Sequence, residues 1–314
     1  MKYLQIYEDF NPNLSIQDPE KFMQSLGWDW DLSAIEWDRD ENGFISGKVM
    51  PSALTSQFLS DPTGTASLKI KCIGELPLQL GTLEDIDLFV NIGSQLESWK
   101  GFPIEMKSTH RSTRIDIMGI TPPDFTGLKT KGYGHIHISG GSRIRSLAGL
   151  AESCQFLGIS HTTLIQNFKG IPNGSKLNSI HAHGSDIRSL EGLEVLRRIE
   201  VLNLNDTPIE SLRGCPRYVD RLYLKDCLLL KSLAGGPIRR DSSLFPPKHL
   251  EQQAVRWEKM VSKYGERGLT REQFANTVLE NEPGYLDLFL PEELPTWIKK
   301  DSEGYNAAKE WGAI

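Results

Sequence analysis

The feature that most constrains this fold is a short apolar pattern that returns at a nearly constant interval along the chain. In each copy, two apolar residues are separated by a single residue. From residue 115 onward, the first residues of successive copies are 21, 21, 23, 22 and 20 positions apart. The seven copies are Ile86–Leu88, Ile115–Ile117, Ile136–Ile138, Leu157–Ile159, Ile180–Ala182, Leu202–Leu204 and Leu222–Leu224. Leu68–Ile70 fits the same pattern upstream, and the step of 29 residues between the first two copies indicates an insertion.

Two further features recur within the same interval. One is a serine–leucine–glycine motif, found as I-R-S-L-A-G-L at 144–150, I-R-S-L-E-G-L at 187–193, I-E-S-L-R-G-C-P at 209–216, L-K-S-L-A-G-G-P at 230–237 and, in degenerate form, at 164–172. The other is a small or hydrogen-bonding residue three positions after the apolar pair. It is present as Asn91, Gly141, Thr162, Ser185, Thr207 and Cys227, and only Ile120 departs from the rule. Because one unit cannot bury its own apolar face, these features predict stacked units that share a core.

The pattern resembles that of the leucine-rich-repeat family, L-x-x-L-x-L-x-x-N/C-x-L, over residues 65–237, and the S-L-x-G-L-P motif is similar to that of bacterial and phage members. The resemblance implies an α/β repeat solenoid, a horseshoe whose parallel strands line the concave side. It also implies that the residue between each apolar pair points outward. The Asn, Thr or Cys position is implied to turn inward and hold the backbone of a turn.

Different patterns flank the predicted array of residues 65–240. Residues 1–64 are expected to form an N-terminal cap that contains a helix and a hairpin. Asp18–Pro19 is typical of a helix start, and the alternating apolar residues at 28–37 indicate a strand. Asn42–Gly43 then predicts a two-residue hairpin turn.

Residues 244–314 are expected to form a helical module that either caps the array or stands apart from it. A stripe at helical spacing contains Leu250, Ala254, Trp257, Val261 and Tyr264. Thr270 with Gln273 fits a capping box at the start of a second helix. That helix continues through Phe274 and Val278, and Trp297 and Trp311 are expected to be buried.

Candidate binding residues follow from the alternation of side chains along a strand. The central outward row is predicted to contain Asp87, Asp116, His137, Gly158, His181, Asn203 and Tyr223. The flanking rows are predicted to contain Arg114, His135, Phe156, Ser179 and Arg221 on one side, and Met118, Ser139, Ser160, His183, Asn205 and Lys225 on the other. From these rows, the predicted partner-binding set is His135, His137, His181, His183, Asn203, Asn205, Arg221, Tyr223 and Asp116. Tyr and Arg are residue types that dominate interface hot spots.

Two alternatives to protein binding use the same rows. Adjacent strands are ~4.8 Å apart, so His137 and His181 would flank Gly158 at about 10 Å. The notch between them could hold a phosphate, a nucleotide or another small molecule. Asp116 with His137 or His181 could instead act as acid and base in a hydrolase. A metal ion shared by both imidazoles is not expected, because metal–nitrogen bonds are only ~2.1 Å long.

Composition and motifs limit the other classes of function. The net charge of -6 argues against broad binding to nucleic acid. The four cysteines form no C-x-x-C pair, so neither a zinc site nor a disulfide framework is expected. No nucleotide-binding or zinc-protease motif is present, and no cofactor is expected. The N-terminus lacks a signal-peptide pattern and no window approaches the ~20 apolar residues of a membrane helix, which predicts a cytoplasmic protein.

One local motif imitates a cation site. Residues 38–46 match the first nine positions of an EF-hand calcium loop, but Val49 stands where that loop needs a bidentate glutamate. A hairpin turn explains the same residues, so we expect a hairpin and no calcium site.

The sequence therefore predicts a non-enzymatic module that recognises a protein partner on its concave face. No cysteine follows Cys227, which argues against the cysteine-dependent ubiquitin-ligase domain of some bacterial leucine-rich-repeat effectors. The opening MKYLQIYEDF resembles the start of many short proteins of large tailed phages. Together with the repeat type, this suggests a phage or prophage accessory protein that inhibits a host factor, such as a defence enzyme.

Overall fold

The computed structural model describes residues 86–100, 114–129, 134–139, 143–162, 164–265 and 268–295, Phe102 and Ile298, and the backbone of seven strands before residue 75. The chain divides into an N-terminal unit, residues 1–164, and a C-terminal unit, residues 165–314. None of the helices in the described residues is long and apolar enough to cross a membrane.

The described residues of the N-terminal unit form two sheets. The strands are β1 (Lys2–Ile6), β2 (Trp28–Trp30), β3 (Ile35–Arg39), β4 (Ile45–Val49), β5 (Leu54–Phe58), β6 (Ala66–Lys71), β7 (Ile73–Gly74), β8 (Ile86–Leu96), β9 (Arg114–Ile120), β10 (His135–Ser139) and β11 (Phe156–Gly158). In the larger sheet, β6, β8, β9, β10 and β11 are parallel neighbours in that order, and β7 also pairs with β8. Beyond β6, the sheet continues through β1, β4 and β3 as antiparallel strands. β2 and β5 form a separate antiparallel pair.

The C-terminal unit has one parallel sheet in its described residues, followed by helices. The strands, in their order across the sheet, are β12 (Ser179–His181), β13 (Arg198–Asn203), β14 (Tyr218–Tyr223) and β15 (Ser243–Phe245). The helices are α1 (Glu251–Tyr264) and α2 (Arg271–Asn281). One short parallel strand per interval of sequence confirms a repeat solenoid in each unit.

The apolar pairs of successive repeats align to form the core. In the N-terminal unit, Ile115, Ile136 and Leu157 lie side by side in register. In the C-terminal unit, Leu202 pairs with Leu222 in the same way. All five side chains are fully buried, as expected for neighbours that share one continuous core.

The insertion before residue 115 shifts the register that the sequence predicted for β8. Leu88 pairs with Ile115, and Phe89 pairs with Asp116. The prediction that Asp87 shares the outward row with Asp116 is therefore wrong, because the apolar pair of β8 is Leu88–Val90 rather than Ile86–Leu88. The prediction that Leu68 begins an apolar pair in β6 agrees with this register, because Leu68 pairs with Leu88, the first residue of the apolar pair of β8.

The serine–leucine–glycine motif forms a recurrent turn in which a side-chain oxygen accepts a hydrogen bond from the backbone N–H two residues later. The accepting residues are Asp124, Ser146, Asn167, Ser189, Ser211 and Ser232. Asp124 begins an additional copy of the motif, D-F-T-G-L at 124–128, which the sequence analysis missed because Asp and Phe replace Ser and Leu. Phe125 of this copy is fully buried.

In two copies of the motif, the glycine lies against the backbone of the preceding coil. Gly149 and Gly192 have φ values of 82° and 101°, a region that residues with a side chain rarely adopt. A Cβ atom at Gly149 would lie 2.5 Å from the backbone of Phe125, and one at Gly192 would overlap the carbonyl group of Phe168. At Gly149 and Gly192 glycine is therefore needed both for the turn and for the approach of one coil's backbone to the next.

The inward polar position acts as the resemblance implied. Thr162, Ser185 and Thr207 donate hydrogen bonds to the carbonyl three residues earlier, and the Sγ of Cys227 contacts the carbonyl of Leu204 at 3.0 Å. Ile120 departs from the pattern because its repeat contains one more residue before the turn. Thr121 replaces it: this side chain is 1% exposed and accepts a hydrogen bond from the N–H of Arg143 at 3.3 Å.

The antiparallel strands test the predictions for the N-terminal residues. β3 and β4 form the expected hairpin, in which Arg39 pairs with Ile45. The two-residue turn predicted at Asn42–Gly43 lies between these strands, outside the described residues. Antiparallel strands at both ends of residues 38–46 favour the hairpin over a calcium loop. The helix predicted from Asp18–Pro19 lies outside the described residues.

The helices after the last strand agree with the apolar pattern of their sequence. Ala254, Trp257 and Val261 are buried on one side of α1. The predicted capping box is present at the start of α2, where Thr270 and Gln273 each accept a hydrogen bond from the other's backbone N–H. Trp297 and Trp311 lie outside the described residues.

A half-buried arginine joins these helices to the last repeats. Arg271 donates hydrogen bonds to the carbonyls of Gly236 and Cys215 at 2.8 and 2.7 Å, and to the carboxylate of Glu293 at 3.0 Å. Glu293 is 6% exposed. Burial raises the pKa of Glu293, and Arg271 opposes that rise. The pair fixes α2 against the coils of its own unit.

Candidate binding face

In each unit, the outward-pointing side chains of the parallel strands form a surface that we call the strand face. In the N-terminal unit, its central row brings Asp116, His137 and Gly158 side by side, as the strand alternation predicted. Asp116 is 3% exposed, and its Oδ1 lies 3.3 Å from Nδ1 of His137. The two groups are therefore close enough for an electrostatic contact, and the side chain of His137 is 24% exposed.

The space above Gly158 is occupied rather than open. A Cβ atom built at Gly158 would overlap the imidazole ring of His137. The ring of His137 thus lies across the glycine of the neighbouring strand, and a larger residue there would displace it. The sequence predicted an open notch over Gly158, between His137 and His181. The ring of His137 occupies this space, so the prediction is wrong on the side of His137. His181 belongs to the C-terminal unit.

A second contact on this part of the strand face is aromatic. The rings of His135 and Phe156 stack with their centroids 3.8 Å apart and their planes 14° from parallel. Both residues are half-buried. His135 is therefore packed against its neighbour, and this leaves it less available to a partner than the sequence suggested.

In the C-terminal unit, the central row consists of His181, Asn203, Tyr223 and Phe245. The rings of Tyr223 and Phe245 stack with centroids 4.5 Å apart and planes 5° from parallel. Phe245 is 43% exposed. This pair is the most apolar part of the face, and it lies on two adjacent, hydrogen-bonded strands that fix its geometry.

Sequence reasoning missed Phe245 because β15 carries only one core residue, Leu244. The spacing contained the signal, since Leu244 stands 22 positions after Leu222 and pairs with it. In the neighbouring row, Val201, Arg221 and Ser243 are in register, and Arg221 is exposed as predicted.

Two of the predicted binding residues also accept hydrogen bonds from the backbone. The Oδ1 of Asn203 accepts a hydrogen bond from the N–H of Asn205 at 3.1 Å. The Oδ1 of Asn205 in turn accepts one from the N–H of Lys225 at 2.8 Å. These amides support the backbone where the strands end, so their replacement would disturb the fold as well as the surface.

An exposed pair of leucines lies in the coil of β14. After Ser185 and Thr207, the next buried aliphatic residue comes two positions later, whereas after Cys227 it comes three positions later, at Leu230. The additional residue leaves Leu228 77% exposed and Leu229 48% exposed. Because neither contributes much to the core, this apolar surface has no structural explanation in the described residues.

The opposite side of the coils has a different character. Arg188 pairs with Asp186 at 3.1 Å, and Glu191 pairs with Lys169 at 2.8 Å. These four side chains form two largely exposed ion pairs. Ion pairs of this kind typically contribute little to stability or affinity. They provide matched control positions for the strand face.

A cavity of about 710 Å³ lies between the coils and the helices of the C-terminal unit. Arg256 and Asp287 in its wall form two hydrogen bonds of 2.8 Å. Gln253 accepts a hydrogen bond from the N–H of Leu233 and donates one to Ser232. These polar groups already bind one another across the cavity wall, which indicates a role in holding the helices.

Two of the cysteines in the described residues are poorly suited to act as nucleophiles. Burial raises the pKa of Cys154 and of Cys215 to about 12, so both remain thiols near neutral pH. Within the described residues, no group of three or more His, Cys, Asp and Glu side chains could hold a metal ion.

Comparison with known proteins gives no match to a family model, a curated protein or a solved structure.

Proposed function

We propose that this chain is a protein-recognition module of the leucine-rich-repeat type, which binds a protein partner through the concave strand face. The observation that carries the proposal is the stack of the half-buried Tyr223 on the exposed Phe245, with the exposed Arg221 on the same strand as Tyr223. Aromatic residues and arginine are the side chains that most often dominate binding energy at protein interfaces. Here they stand on adjacent parallel strands of a sheet.

The rigidity of the strands supports the same proposal. Tyr223 and Phe245 are held in register by the pairing of β14 with β15, and their stacking further restricts both rings. Side chains that are already ordered lose little conformational entropy when a partner binds. A host factor inhibited by a phage protein is one such partner in this proposal.

The test begins with affinity purification from the native host and identification of the partner by mass spectrometry. Calorimetry then compares Tyr223→Ala with Arg221→Ala, and His137→Ala with His181→Ala, against the controls Arg188→Ala and Glu191→Ala. We expect each hot-spot residue on the strand face to lose about 2 kcal/mol or more of binding free energy, and the controls to lose much less. Unchanged circular dichroism and melting would show that the variants fold. If the control set carries the affinity, the strand face is not the binding surface.

A second candidate is acid–base chemistry at the contact between Asp116 and His137. A carboxylate that accepts a hydrogen bond from Nδ1 of an imidazole orients that ring as a general base, and the buried Oδ1 of Asp116 lies 3.3 Å from Nδ1 of His137. The test is hydrolysis of ester and phosphoester substrates by the native protein and by His137→Gln. Turnover that disappears in His137→Gln would support this candidate, and equal rates in both proteins would reject it.

A further inference from the structure

The outward rows of the C-terminal unit have an unusual charge distribution. The eleven positions are Ser179, His181, His183, Val201, Asn203, Asn205, Arg221, Tyr223, Lys225, Ser243 and Phe245. None is a carboxylate, although the whole chain has 41 acidic residues and only 35 lysines and arginines. Arg221 and Lys225 are exposed, and neither forms an ion pair within the described part of the chain. We call these eleven positions the basic–aromatic patch.

Carboxylates border the patch, among them the exposed Glu200, which precedes Val201 in β13. Asp220, before the patch, is engaged by Arg198 and Arg239. Asp206 and Asp226 lie in the turns that follow the strands, where both have positive φ. Their charges would repel a negatively charged partner at the edges of the patch.

The two free cations flank the aromatic stack along a single strand direction. Arg221 and Tyr223 are alternate residues of β14, and Lys225 follows in the turn after that strand. Leu222 and Leu224 between them are buried, so the three side chains lie on the outward side. At a rise of about 3.3 Å per residue, the backbone of Arg221 is roughly 6.6 Å from that of Tyr223 along the strand. The patch thus presents a cation, an aromatic surface and a second cation in sequence. Their spacing matches that of alternate residues in an extended chain.

We infer that the partner presents an extended acidic segment in which an apolar side chain is flanked, two residues away on each side, by Asp or Glu. The apolar side chain seats on Tyr223 and Phe245, and the two carboxylates meet Arg221 and Lys225. This inference rests on the proposed function and assigns the chemistry of the partner. Electrostatic complementarity of this kind sets specificity and association rate.

The probe is a fluorescent 12-residue peptide with glutamate–serine–leucine–serine–glutamate at its centre. Matched peptides carry glutamine or lysine in place of both glutamates, and an oligothymidylate of 12 nucleotides represents nucleic acid. We expect the acidic peptide to bind at least tenfold more tightly than either matched peptide, with an affinity that falls as salt is added. Equal binding of the glutamine peptide, no binding of any peptide, or preferential binding of the oligothymidylate would overturn the inference.

Variants locate the interaction. Arg221→Glu with Lys225→Glu should weaken the acidic peptide at least tenfold, whereas Lys248→Glu with Lys259→Glu, at exposed positions outside the patch, should leave its affinity within twofold. Phe245→Ala should weaken binding without removing the dependence on salt. Equal losses in the two charge-reversed variants would overturn the inference.

The proposed function can survive failure of this inference. If the purified partner still depends on Tyr223 but binds the charge-reversed patch normally, the partner is not acidic and the strand face remains the binding surface. If neither change affects the partner, both proposals fail.

Discussion

Gly192→Ala, compared with Gly174→Ala, measures how closely the coils pack. Both glycines have positive φ, 101° and 85°, so alanine at either position costs about 1–2 kcal/mol in backbone energy. The restriction of the unfolded chain is the same in both variants and cancels in the comparison. At Gly174, a Cβ atom would have no neighbour within 4 Å. The backbone energy is therefore the only cost of alanine at this position.

At Gly192 the new Cβ atom would meet the backbone of Phe168 and Lys169 well inside 3.0 Å. Backbone atoms cannot rotate away as a side chain can, so the coils must separate, which adds about 1–3 kcal/mol. We therefore expect a loss of about 2–5 kcal/mol for Gly192→Ala and about 1–2 kcal/mol for Gly174→Ala. Urea denaturation followed by circular dichroism measures both, provided that the m value stays unchanged. Losses that agree within about 0.5 kcal/mol would refute close approach of the coil backbones at this glycine.

Three other predictions test the core, the buried ion pair and the thiols. Leu202→Asp should unfold the C-terminal unit, because an unpaired carboxylate would enter a position with 0% exposure; near-native melting would show that Leu202 is not core. Arg271→Met should cost about 3–5 kcal/mol, because Glu293 would remain buried without its cation, and adding Glu293→Gln should restore part of the loss in denaturation experiments. If Glu293→Gln instead lowered the free energy of unfolding further, by an amount that adds to the loss in Arg271→Met, the ion-pair interpretation would be wrong. Cys215 should not react with a thiol reagent at pH 8 until the chain unfolds, since burial raises its pKa to about 12; rapid modification of the folded protein would refute its burial.

The core was predictable because its period is visible in the sequence. Leu202 and Leu222 recur at a near-constant interval, and neighbours in register need no information beyond that interval. Prediction failed at β8, where an insertion changed which residue faces Ile115. It also failed at β15, where Leu244 is the only core residue and the apolar pair is incomplete.

The candidate site was predictable as a set of rows but not as a set of contacts. Alternation along the strands placed His137 beside Asp116 and Gly158, as the register shows. The orientation of the imidazole depends on what surrounds it in three dimensions, namely a buried carboxylate on one side and the empty position of a glycine on the other. Neither neighbour is close in sequence, so no local pattern predicts that the ring fills the space above Gly158.

The structure also separates positions that test binding cleanly from those that do not. Asn203 and Asn205 support the backbone at the ends of strands, so alanine at either position would leave a backbone N–H without its partner and lower stability. Arg221 and Phe245 are exposed, and their side chains make no hydrogen bond to the backbone in the described residues. A loss of affinity at these two positions therefore reports on the partner itself, whereas a loss at the asparagines would combine recognition with local unfolding. Comparison of the two pairs, at matched stability, distinguishes a face that binds from one that only completes the solenoid.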